Sequence, residues 1–191
     1  MTTTDRTTAR RLNHLEFVHR PGEHDLVLEL FALLGIETNE GMFIVGAIDP
    51  PSTNFVDNIL AGSQAFPEQL EFDARLSEAL REEPLASAYA AFRERLRVSP
   101  QWGTHSGIRF DSLEEWRTTV DRVGAVDEVA PALSGRVRLE GVIPPGHPSS
   151  VSTYVHQAFV WTDVIAGTSL AFGQQFELQH FDFAAFATAR G

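Results

Sequence analysis

The feature that most constrains this chain is an internal echo. Residues 12–18, Leu-Asn-His-Leu-Glu-Phe-Val, alternate as a short strand with His14, Glu16 and Val18 on one face. Pro21-Gly22 ends that strand. Leu26, Leu30, Leu33 and Leu34 then mark the buried stripe of a helix closed by Gly35. The same pattern returns at residues 104–110, Thr-His-Ser-Gly-Ile-Arg-Phe, where His105, Gly107 and Arg109 share a face. Ser112 and Glu115 have the spacing of a capping box; Leu113, Trp116, Val120 and Val123 step at helical intervals, and Gly124 closes the unit. His14 to Gly35 spans 21 residues (35 − 14), and His105 to Gly124 spans 19 (124 − 105).

Strand-like segments follow each unit: 42–48 and 54–62 after the first, then 136–143, 154–164 and 169–180 after the second. Pro50-Pro51 and Pro144-Pro145-Gly146 punctuate them at matching places. The expectation is an α+β chain of two βαβββ modules, residues 12–64 and 103–181, joined by a helical connector over 65–102. Within the connector, Phe72, Leu76 and Leu80 form one stripe, and Leu85, Tyr89, Phe92 and Leu96 form another. Pro67 suits a first helical turn, and Pro84 divides the two helices.

Composition narrows the function. The chain has 191 residues with 15 basic and 26 acidic side chains, a net charge of −11, which argues against nucleic acid or an anionic membrane as the main partner. It has no cysteine, which excludes thiolate metal sites, disulfides and a cysteine nucleophile. Every basic residue is arginine, so a Schiff-base or P-loop lysine is excluded too. No apolar run reaches the roughly 20 residues that span a bilayer. Arg10-Arg11 is followed by Asn13, His14 and Glu16, not by the apolar stretch of a twin-arginine signal. The expected setting is cytoplasmic, the expected partner a small molecule, and the expected assembly a monomer or homodimer.

His14 and His105 open the two units, and Glu177 lies in the last strand-like run with Gln175 and Gln179 on its face. Two imidazoles and a carboxylate are the donor set of non-haem Fe(II) oxygenases, and zinc, manganese or nickel would also accept it. Each residue alone reads more simply as a surface or hydrogen-bonded group. Arg109 is in phase with His105 and suits a substrate carboxylate, or an ion pair with a nearby acid. His156 and Glu16 are the acid–base candidates, because imidazole titrates near neutrality and Glu16 is in phase with His14.

The pattern His14…His105…Glu177 across paired βαβββ units resembles the vicinal oxygen chelate superfamily, which includes glyoxalase I, extradiol dioxygenases, certain epimerases and bleomycin-resistance binders. The resemblance is carried by Thr104-His105-Ser106-Gly107-Ile108-Arg109 with Ser112-Leu113-Glu114-Glu115, and by Phe176-Glu177-Leu178. It implies that the two modules form an incomplete barrel around one divalent metal, with His14, His105 and Glu177 as ligands. Such members usually add a glutamate from the last strand of the first module. The corresponding run, residues 54–64, has none. Asp57, Asn58 or Gln64 would have to substitute, or the site has three ligands as in the extradiol dioxygenases. The implied activity is metal-dependent chemistry on a small substrate bound through adjacent oxygens, leaning to an Fe(II) dioxygenase. The alternatives are an epimerase, isomerase or glyoxalase-like lyase in which Glu16 or Glu177 handles the proton, or a non-catalytic drug or metabolite binder.

Overall fold

The computed structural model describes residues 12–40, 43–48 and 58–189. The first unit runs β1 (His14–His19), α1 (His24–Leu33), β2 (Glu37–Glu40), β3 (Ile44–Ala47) and β4 (Ile59–Gln64). α2 (Pro67–Ala79) and α3 (Leu85–Val98) follow, with a short 3-10 turn at Pro100–Trp102. The second unit runs β5 (Ser106–Phe110), α4 (Leu113–Gly124), α5 (Val126–Val129), β6 (Val137–Ile143), β7 (Val155–Thr162), β8 (Ile165–Ala166), β9 (Gln174–Phe181) and α6 (Phe183–Thr188).

Two sheets of the same design result. The first is ordered β2-β3-β4-β1, and the second β6-β7-β9-β5. In each, the first strand of the unit lies parallel to the last, β1 on β4 and β5 on β9, while the other pairs are antiparallel. This is the α+β fold of two βαβββ modules with inserted helices. β8 leaves the second unit and pairs with β1 at the edge of the first sheet, Val18 against Ala166. Among the described residues no helix is long and apolar enough to cross a membrane.

The helices form where the sequence marks them. α1 buries Val27, Leu30, Phe31 and Leu33. It ends in a Schellman turn: Ile36 N donates to Phe31 O at 2.8 Å and Gly35 N to Ala32 O at 3.1 Å. Gly35 sits at φ +77°, where a side chain would be strained. Ser112 caps α4 by accepting from Glu115 N at 3.3 Å. α2 is fastened by buried Asp73, which accepts from Ser169 Oγ at 2.5 Å and Leu170 N at 3.2 Å. α3 buries no residue fully.

One apolar core runs through both units, joining Phe17, Leu30 and Phe31 to Trp116, Val120, Phe176 and Leu178. Polar links add to it. Arg122 Nε donates to Leu33 O at 2.8 Å, satisfying the open end of α1 from α4. Arg136 forks onto both Glu23 oxygens at 3.1 Å and also pairs with Asp163.

Candidate functional site

The repeat has a definite register. α4 begins 89 residues after α1 (113 − 24). The same shift lays Val27, Leu30, Phe31 and Leu34 on Trp116, Thr119, Val120 and Val123, all of them buried. It also lays Gly35 on Gly124. The strands take a different shift, because β1 ends five residues before α1 and β5 three residues before α4. Their last residues, His19 and Phe110, are 91 apart (110 − 19), and that shift lays His14 on His105.

The last strands follow the same correspondence. Glu16 pairs with Ala61 in the first sheet, and its counterpart Gly107 pairs with Glu177 in the second. Ala61 thus stands where Glu177 stands. Each sheet also makes a diagonal contact between its first and last strands: the Ser63 hydroxyl donates to the Glu16 carboxylate, and Glu177 Oε2 meets His105 Nε2 at 3.0 Å. Ala61, not one of the candidates Asp57, Asn58 and Gln64, holds the place of a last-strand glutamate in the first unit. Gln64 is exposed, Asn58 precedes β4, and Asp57 lies outside the described residues.

The His105–Glu177 pair is held by several hydrogen bonds. Glu177 is 7% exposed, and its Oε1 accepts from Gln157 Nε2 at 2.7 Å and Gln179 Nε2 at 3.0 Å. His105 Nδ1 lies 2.8 Å from Gly103 O. A carbonyl can only accept, so Nδ1 carries a hydrogen. On the other side of the ring, Nε2 lies 3.0 Å from Glu177 Oε2. Phe159 stands edge-on to the imidazole, with ring centroids 5.7 Å apart, and holds the ring in place.

Glu16 and His105 line one cavity of about 580 Å³. Its other walls are largely aromatic: Phe17 from β1, Tyr89 and Phe92 from α3, Trp161 from β7, and Phe172. Arg93 crosses from α3 to Glu140 at 3.4 Å and lies 4.8 Å over the Trp161 ring. α3 therefore forms one wall of the cavity without entering the core.

Other expected site residues stand elsewhere. His14 is exposed, with its Nδ1 2.5 Å from Asn13 Oδ1. It does not join His105 and Glu177, and among the described residues no three His, Cys, Asp or Glu side chains gather closely enough to hold an ion. His105 Nε2 and Glu177 Oε2 have the separation of neighbouring ligands on one ion, and among the described residues no third such donor stands beside them, so the described residues do not by themselves make the expected three-ligand centre. Arg109 does not line this cavity. It faces a different cleft, paired with exposed Asp111 at 3.7 Å and lying 5.7 Å over Phe183. His156 alternates away from Gln157 on β7, packing on Trp116 with centroids 5.3 Å apart and on His180 at 6.0 Å. Burial, then the positive charges of His180 and Arg117, hold its pKa below the ordinary value. It does not line the cavity.

Sequence reasoning missed Gln157, Gln175 and Ser63. Gln175 was visible as an in-phase neighbour of Glu177, but a glutamine in a strand carries no specific signal.

No protein-family model matches the chain, and no curated protein matches it. Among solved structures, it is similar to a glyoxalase/bleomycin resistance protein/dioxygenase family enzyme from Burkholderia phytofirmans PsJN. The two are 11% identical with a TM-score of 0.40, over 90% of this chain and 99% of that one.

Proposed function

We propose that this chain is a glyoxalase-like enzyme of the proton-transfer kind, acting on a small substrate that carries a carbonyl oxygen. The observation behind this reading is that Glu16 and His105, from the first strand-forming segment of each unit, line a single cavity with different chemical partners. Glu16, held by the Ser63 hydroxyl, is the general base. It takes the proton from the carbon next to the carbonyl. The C–H electron pair becomes the new C=C bond, and the carbonyl π pair moves onto oxygen. That oxygen takes a proton from His105, which Glu177 holds in place. The reverse steps return a proton to carbon, which gives isomerisation or epimerisation.

A suitable probe is 2-hydroxyacetophenone in heavy water, followed by proton NMR. The protein should speed loss of the CH₂ signal, and His105→Gln should slow that exchange about 100-fold, the usual scale for losing one acid–base group. Exchange at the buffer rate would overturn the reading. So would exchange that chelator dialysis abolishes and added metal restores.

One observation favours a second reading, a non-catalytic binder. Glu177 is already satisfied by His105, Gln157 and Gln179, as a purely structural carboxylate would be. That reading expects binding of the probe with no exchange.

A further inference from the structure

We infer that the cavity takes a neutral, flat aromatic molecule whose carbonyl-type oxygen accepts a hydrogen bond from the side-chain amide of Gln175 beside His105. This deepens the proposed function and rests on the cavity being the substrate site.

The first observation is an unused donor. Gln175 is 6% exposed and lines the cavity, yet its Nε2 meets no acceptor among the described residues. Its neighbours show the satisfied form of the same side chain. Gln174 Nε2 donates to Gln175 O at 2.9 Å, and Gln179 Nε2 donates to Glu177 at 3.0 Å. A buried amide donor left open is costly, and an acceptor supplied by a ligand removes the cost. Gln175 and His105 directly precede the paired residues Phe176 and Ser106, so they stand side by side where the two parallel strands begin. One carbonyl oxygen has two lone pairs and can accept from both groups.

The second observation is the charge of the site. Arg93 is the arginine that lines this cavity among the described residues. It is already paired with Glu140, whose side chain is 6% exposed. Glu16 adds negative charge at the same place. A carboxylate ligand would meet repulsion and no free cation, so the acceptor belongs to a neutral group. The third observation is the wall, where the rings of Phe17, Tyr89, Phe92, Trp161 and Phe172 present the faces and edges that suit another ring. A volume of about 580 Å³ suits such a molecule.

The test compares three probes of one shape on the full chain: 2-acetonaphthone, 2-ethylnaphthalene and 2-naphthoate, with binding read by ligand-observed NMR. The ketone should bind the wild-type chain about tenfold more tightly than the hydrocarbon, the scale of one good hydrogen bond. The naphthoate should bind more weakly than the ketone. Gln175→Leu should erase the preference for the ketone and leave hydrocarbon affinity within about twofold, since only the donor is lost. Gln175→Met is the second variant, and the wild-type comparison needs no variant at all. Equal binding of ketone and hydrocarbon overturns the inference while leaving the cavity an apolar site. Tighter binding of the naphthoate also overturns it, as does a ketone preference that survives loss of the Gln175 amide. If no probe binds but 2-hydroxyacetophenone still exchanges its protons, the inference alone fails. If neither occurs, the proposed function fails with it.

Discussion

At the scale of single residues, a matching strand position did not give the two histidines matching surroundings. His14 and His105 hold equivalent places, yet His105 meets Glu177 and His14 stands exposed. The two histidine-to-glycine spans differ by two residues, 21 against 19, because the link from β1 to α1 is two residues longer than the link from β5 to α4. His156 gives a separate test. Its pKa in the fold lies below the ordinary 6.5, chiefly through burial. Above 6.5 neither the folded nor the unfolded chain is protonated there, and the residue's full contribution is present. As the pH falls below that value, the unfolded chain takes up its proton first and stability declines. The loss of Tm between about pH 7.5 and pH 5 should therefore shrink in His156→Gln. An unchanged loss would contradict this account of the ring's surroundings.

At the scale of elements, more was legible. The strand–helix–glycine pattern, the Ser112 cap and the break at Pro84 all depend on local rules of capping and periodicity, and the helices appear where those rules put them. Ser112→Ala should cost about 1 kcal/mol in a urea titration, because the Glu115 amide loses its acceptor. A cost near zero would mean that solvent replaces the cap. β8 was not legible. Two residues, Ile165 and Ala166, give no periodicity to read, and their pairing with β1 is settled only by tertiary packing. The role of α3 was hidden for a related reason. Its stripe of Tyr89, Phe92 and Leu96 reads as an ordinary packing face, and only the folded chain shows that face lining a cavity.

At the scale of the whole molecule, the two units are fused by a shared core and by the charges around Arg136. Removing the guanidinium in Arg136→Met leaves Glu23 and Asp163, with side chains 18% and 29% exposed, without their main partner. The expected cost is about 1–2 kcal/mol, less than the 3–5 kcal/mol of a fully buried pair because water still reaches both acids. Urea unfolding with an unchanged slope and a lower midpoint would show it, and an unchanged midpoint would contradict it. The site belongs to this scale as well. Glu16 and His105 lie 89 residues apart (105 − 16), and they share a cavity only because two copies of one topology face each other. The proton-transfer reading is tested most directly by measuring heavy-water exchange of 2-hydroxyacetophenone with Glu16→Gln and His14→Gln side by side. Glu16→Gln should slow exchange about 100-fold, while His14→Gln stays within about twofold of the wild-type rate. Exchange that survives Glu16→Gln but is lost with His14→Gln would contradict the assignment and return His14 to the site.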